Sequence, residues 1–243
     1  MIDLNTERMA GYGDYSVGEY VVNRLYGLND FCKKYLTSDK ILLELGCSTA
    51  VSSELFCNYA KSVTSVDIEK QKQVDLLHNR VNNFEFIHSS FGEFFKKNSV
   101  IYDVIYVDGC HDTNNVYTDI ANSLKFINKD GGIIAGHDFN ETTGVEAAVL
   151  QFFSKDRIEI FSDSSWAVKL SSRDLSSPLM DSKFIYAGDE NSSYSNNLAY
   201  DVAYGSRNSF KYKYGVTGTI TFNNETFGDP IPYVLKKGYV SIK

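Results

Sequence analysis

The stretch ILLELGCSTAVSS, residues 41–53, constrains the fold more than any other part of this chain. A short apolar run leads into Glu44-Leu45-Gly46, small residues follow, and a helical pattern begins. That is strand, tight turn and helix, the arrangement by which an α/β sheet holds a nucleotide-like ligand. Gly46 lets the backbone come close to a ligand, and the free N–H groups at the next helix start can meet polar ligand atoms.

The same alternation continues along the chain. Short apolar runs predict strands over 41–45, 62–67, 84–88, 102–108 and 133–135, with a final pair over 157–161 and 166–170. Helical spacing predicts helices over 50–59, 70–78, 91–97, 114–127 and 143–153; in the fourth, Val116, Ile120, Leu124 and Ile127 share one face. Repeated β-α units imply an α/β domain with a doubly wound, mainly parallel seven-stranded sheet. Residues 1–40 form a lead-in, with helix-like spacing over 17–28 and 30–35 and a loop over 11–15. It either covers a site at the carboxyl ends of the strands or packs on the sheet edge. Residues 41–170 make the main domain, and 171–182 read as a serine-rich linker. Residues 183–243 change in texture: they lack His and Cys, and Phe210, Tyr212, Tyr214 and Val216 alternate with Lys211, Lys213 and Gly215. A small β-rich domain is expected there, too small to stand without docking or pairing.

Charge and cysteine usage exclude several classes. A formal net charge of -7 argues against a generic nucleic-acid binder. Cys32, Cys47, Cys57 and Cys110 form no CxxC pair and match no zinc spacing, so free thiols in a reducing compartment are expected. The opening MIDLNTERM lacks the basic and apolar regions of a signal peptide, and no apolar run is long enough to span a membrane. These features predict a cytoplasmic protein with neither a membrane nor a nucleic acid as partner.

Three acids, Glu44, Asp67 and Asp108, end three strands at the rim where open α/β sheets bind ligands. Asp67 lies 21 residues after Gly46, a spacing at which an acid can accept both ribose hydroxyls of an adenosine group. Capping of the following helix is its other reading. A dinucleotide fingerprint would need three glycines where this chain has Gly46, Ser48 and Val51, which disfavours a nicotinamide-dependent oxidoreductase.

The block YDVIYVDGCHDTNNVYTDIANSLKFINKDGGIIAGHDF, residues 102–139, resembles the class I S-adenosylmethionine-dependent methyltransferases. Within them it is similar to a small-molecule O-methyltransferase-like subgroup. Asp108, Gly109, His111, Asp119, Ile120, Gly131, Gly132, Gly136, His137 and Asp138 carry the likeness. Thr113 stands where that family often has Tyr, and Ser48 and Ala50 replace glycines of its first motif. The resemblance implies a Rossmann-like methyltransferase sheet and S-adenosylmethionine as cofactor. It implies that Glu44, Gly46, Cys47 and Ser48 line the methionine and ribose, and that Asp67 and Ile68 hold the ribose and flank the adenine. Ser89, Ser90 and Phe91 would sit by the adenine, and Asp108 beside the transferable methyl.

In related enzymes, positions matching Asp108, His137 and Asp138 hold a divalent ion. This mixed N/O set suits Mg poorly at the His, and Mn, Fe or Zn better. Hydrogen bonding of His137 and Asp138 to loops, with no metal, is the other reading. Either His111 or His137 could be a general base, since an unperturbed imidazole titrates near neutrality. The implied reaction is methylation of a small-molecule or sugar hydroxyl. Residues 202–239 resemble a short β domain appended to carbohydrate-active and other secreted proteins, the one hint toward glycans. That module could also mediate homo-oligomer formation. The competing function is a non-catalytic glycan-binding or assembly protein, against which the intact Asp108, His111, His137 and Asp138 set argues.

Overall fold

The computed structural model describes residues 19–170, 183–206 and 209–242. The loop expected over 11–15 and the linker expected over 171–182 lie outside the described residues. The chain divides into two compact units, Met1–Ala148 with Asp156–Leu170, and Val149–Lys155 with Ser171–Lys243.

The first unit begins with helix α1 (Glu19–Tyr35) and then alternates: β1 (Ile41–Leu45), α2 (Val51–Cys57), β2 (Ser62–Asp67), α3 (Lys72–His78), β3 (Phe84–His88), α4 (Phe91–Lys97), β4 (Val104–Val107), α5 (Thr113–Ser123) and β5 (Ile133–Gly136). Helix α6 (Val145–Phe152) spans the division between the units, and β6 (Glu159–Ile160) and β7 (Trp166–Lys169) complete the sheet. The strand order is β3-β2-β1-β4-β5-β7-β6. The first five strands run parallel, whereas β7 is antiparallel to both β5 and β6. This is the expected doubly wound, mainly parallel sheet.

Alternation along the strands supplies both covered faces. Leu42, Val63, Val104, Tyr106 and Ala135 join Leu28, Phe31 and Cys32 of α1, Leu55 and Phe56 of α2, and Val74 and Leu77 of α3 in one core. On the alternate positions Leu43, Leu45, Ile105 and Ile134 are buried too, and α4 and α5 lie against β2 and β4. The described part of the lead-in therefore packs on the sheet. Phe31 sits at its centre, its ring 5.4 Å from that of Tyr106 and 5.8 Å from that of Phe161.

Three elements differ from the sequence expectation. Helix α1 runs unbroken through Asn29, where two segments were expected; Asn29 is buried and its Oδ1 accepts from the Tyr59 hydroxyl at 2.6 Å. Within the first of those segments, a side chain on Gly27 would come within 2.6 Å of Asp163 Cγ. Helix α5 ends at Ser123, and tight backbone bonds from Lys125 to Asn122 and from Phe126 to Ser123 turn the chain. Ile127 therefore leaves the helical face and bridges Tyr102, which stands outside the short β4.

The second unit carries an antiparallel sheet of β8 (Ile185–Asp189), β9 (Ser193–Ser206), β10 (Ser209–Thr221) and β11 (Lys237–Ile242), in the order β10-β9-β11-β8. A short helix, α7 (Asn224–Phe227), follows β10. Tyr200, Val202, Tyr204, Ile220, Phe222 and Val240 form its core. Buried Lys236 places its Nζ 3.0 Å from Asp229 and 3.6 Å from Glu190, and the Tyr204 hydroxyl donates to Glu190 at 2.8 Å. Ser206 Oγ donates to the Gln151 carbonyl at 2.9 Å, within the same unit.

Candidate functional site

The carboxyl ends of β1, β2, β3 and β4 open on one rim. After β1 the chain turns sharply, with Gly46, Ser48 and Ala50 at φ of 89°, 43° and 59°. Ser48 and Ala50 thus keep the left-handed backbone that glycines would adopt without strain. The turn aims its amides outward, and the Cys47 and Ser48 N–H groups both donate to Asp67 Oδ2 at 3.0 Å. Asp67 Oδ1 accepts from the Glu69 N–H at 3.0 Å, so this carboxylate both receives the turn and starts its own loop. Next to it, Ile68 is 65 % exposed and its carbonyl lies 2.8 Å from His88 Nε2. Ser89 donates its N–H to the Asp67 carbonyl at 3.0 Å, and Ser90 caps α4. The Phe91 ring lies against Gly109, where a side chain would come within 3.0 Å of Cζ. The residues expected to surround an adenosine group, Gly46, Cys47, Ser48, Asp67, Ile68, Ser89, Ser90 and Phe91, therefore share one rim.

Glu44 is the exception. It is fully buried, one position before the strand end, and both carboxylate oxygens are taken by the Ser52, Ser53 and Ser65 hydroxyls. The pleat turns its side chain toward α2, so Glu44 supports the turn from behind instead of facing a ligand. Burial pushes its carboxyl up to about 7 against the pull of the three serines.

The second half of the rim gathers acids and imidazoles. Asp108, at the end of β4, and His137 and Asp138, after β5, can bring one ligand atom each within 4.8 Å of one another. Asp138 sits at φ 58°, a left-handed conformation that Asp tolerates, and this places its carboxylate between two imidazoles. Its Oδ1 lies 3.3 Å from His137 Nδ1, and its Oδ2 lies 3.1 Å from His111 Nε2. Burial lowers the His137 pKa, but the Asp138 hydrogen bond and the charges of Asp108, Asp138 and Asp163 outweigh it, leaving a net rise above the ordinary value. His111 is half exposed, in a loop held at one end by Asp112, which caps α5, and at the other by Gly144, whose N–H donates to the His111 carbonyl at 2.8 Å. Cys110 in the same loop directs its thiol to Asp112 at 3.0 Å. His78 and His88 belong to neither half of this cluster.

One residue here was not foreseen. Asp163, in the turn between β6 and β7, places Oδ2 3.9 Å from His137 Nε2. A parallel βα alternation carries no hint of it; the only signal is that an antiparallel last strand returns its leading turn to the same rim.

Residues 43–139 match a family model described as a methyltransferase domain. This stretch is similar to methyltransferase domains, and it spans the first five strands of the doubly wound, mainly parallel sheet apart from the start of β1. No curated protein sequence matches the chain. Among solved structures, a candidate methyltransferase from Streptococcus mutans in complex with S-adenosylhomocysteine (SAH) is 15 % identical, over 59 % of this chain and 95 % of that one, with a TM-score of 0.43. A second Streptococcus mutans protein, a candidate S-adenosylmethionine-dependent methyltransferase, is 16 % identical, over 61 % of this chain and 49 % of that one, at 0.49. The N-methyltransferase NodS from Bradyrhizobium japonicum WM9 with SAH is 11 % identical, over 99 % of this chain and 95 % of that one, at 0.46. Among the described residues, no helix is long and apolar enough to cross a membrane.

Proposed function

We propose that the chain transfers a methyl group from S-adenosylmethionine to a hydroxyl of a small molecule, with a sugar or other polyol as the acceptor class. The observation that carries this reading is the Asp138 carboxylate held between His111 and His137, on the same rim as the Asp67-tethered turn. The cofactor supplies a methyl carbon made electrophilic by its sulfonium. The Gly46 turn and Asp67 bind its ribose and methionine part, and Asp108 fixes the reacting end.

His111 takes the acceptor proton. Its Nε2–H donates to Asp138, which leaves Nδ1 as the base. The acceptor oxygen then forms its bond to the methyl carbon as the carbon–sulfur bond breaks, giving a methyl ether and SAH. Alignment of the two substrates supplies much of the acceleration. Asp108, His137 and Asp138 also fit a divalent cation, by their convergence and by their mixed N/O donors. Such a cation would supply charge that lowers the hydroxyl pKa. The second unit serves structure or interaction in this reading.

The test is turnover of His111→Gln against a panel of hydroxylated acceptors, beside its affinity for SAH. A loss of about 10²–10⁴-fold in kcat with unchanged SAH affinity is expected. Full turnover by this variant would sink the assignment of the base.

A further inference from the structure

We propose that Thr143 and Gly144 are positioning residues of the site: together they clamp the loop that carries His111 to the loop that carries Asp138, and so set the separation at which the base meets its carboxylate. The proposal rests on the reading given above, in which His111 takes the acceptor proton with Asp138 as its partner.

The two partners come from separate stretches of chain. His111 lies between β4 and α5, and Asp138 lies between β5 and α6. Their side chains meet at 3.1 Å, from Nε2 to Oδ2. Each residue is also held by its backbone carbonyl, and the two holders are neighbours in sequence. The Thr143 hydroxyl donates to the Asp138 carbonyl at 2.7 Å, and the Gly144 N–H donates to the His111 carbonyl at 2.8 Å. Thr143 is itself fixed, because its Oγ1 accepts from the Val145 N–H at 3.3 Å, at the start of α6. Gly144 lies so near the other loop that a side-chain carbon on it would sit 2.3 Å from the Thr113 N and 2.8 Å from the His111 carbonyl oxygen. Both of those atoms are backbone, so the loops meet this closely only with a glycine between them.

Asp138 needs such a hold. Its φ of 58° is left-handed, a conformation that a non-glycine residue keeps only where its surroundings enforce it. The enforcing bonds converge on its carbonyl, which accepts from the Asn140 N–H at 2.9 Å as well as from Thr143. Without the Thr143 hydroxyl one of these bonds is lost, and the backbone that aims the carboxylate at His111 is released toward its ordinary conformations. Because Thr143 and Gly144 share a peptide bond, movement at one carbonyl passes to the other. Both residues act through His111 and Asp138 instead of on the acceptor. A misplacement of about 1 Å is enough to cost about 10²-fold in rate.

The experiment compares Thr143→Val, which removes the hydroxyl at nearly constant shape, with Thr143→Ser, which keeps it. In crystals of Thr143→Val the separation of His111 Nε2 from Asp138 Oδ2 should open from 3.1 Å to more than about 3.5 Å, beyond hydrogen-bond reach, and Thr143→Ser should keep it closed. Turnover of hydroxylated acceptors should fall about 10–100-fold in kcat in Thr143→Val, with acceptor KM and SAH affinity within about twofold, and Thr143→Ser should restore it. An unchanged separation in Thr143→Val overturns the proposal, as does wild-type kcat in that variant or an equal loss in Thr143→Ser. Hydrogen exchange of the wild type decides even if Thr143→Val does not fold. The Gly144 amide precedes α6 and has no intrahelical acceptor, so its protection reports the bond to His111. Exchange there as fast as at an open amide would overturn the clamp. Full turnover by His111→Gln would instead remove the base reading, while the measured separation still judges the clamp.

Discussion

Gly46 lies so close to Asp108 that a side-chain carbon on it would sit 2.7 Å from the Asp108 carbonyl carbon and 2.9 Å from Gly109 Cα. Both neighbours are backbone, so neither can give way. The turn after the first strand and the end of the fourth are therefore locked together, and the two halves of the candidate site meet at this pair.

Gly46→Ala should accordingly combine a clash with a left-handed backbone at φ 89°. The expected cost is about 2–3 kcal/mol of stability. SAH affinity should fall by more than tenfold, because the Cys47 and Ser48 amides move with the turn. Urea melting and calorimetry check the two effects, and wild-type behaviour in both would show that the turn tolerates a side chain.

Much of this was legible in the residues. The apolar runs and their helical spacers gave each parallel strand, since a strand buried on both faces reads as a continuous apolar run. Asp67, Asp108, His137 and Asp138 stood out because each closes such a run. Glu44 misled because it sits one residue before a strand end, and the pleat, which a one-residue offset reverses, turns it inward. Ile127 misled because apolar periodicity carried past the tight turn that ends α5. Asp163 was invisible because its closeness to His137 depends on antiparallel pairing of β7 with β5, a long-range contact that local pattern does not encode.

Stability should depend on pH through two buried acids. Burial pushes both Glu44 and Asp119 up to about 7, from ordinary values of 4.5 and 3.8. The folded chain then keeps protons that the unfolded chain releases. The stabilisation is fully present below about pH 4 and is lost as pH rises toward 7. For Glu44 the span corresponds to roughly 3 kcal/mol. Glu44→Gln keeps an acceptor for the serines and removes one of the two titrations. Its urea midpoint should therefore fall less steeply than wild type between pH 4.5 and 7. An identical slope would mean that Glu44 ionises normally in the fold.

Lys236 offers a test confined to the second unit. Its ammonium is buried beside Asp229 and Glu190, and removal leaves those carboxylates without their cation. Lys236→Ala should cost about 3 kcal/mol in that unit, the lower end for a broken buried pair because Asp229 is partly solvated. The chain's single tryptophan, Trp166, lies in the first unit, so its fluorescence transition should stay in place while the far-ultraviolet signal gains an earlier step. A shift of the tryptophan transition alone would contradict this account.

The most direct measurement is calorimetric titration of the protein with SAH, with and without Mn²⁺, for the wild type and Asp67→Ala. Binding in the micromolar range or tighter is predicted, weakened at least about tenfold in Asp67→Ala, the equivalent of about 1.4 kcal/mol. No binding under either condition, or equal binding by the variant, would contradict the claim that the Gly46 turn and Asp67 form the cofactor site.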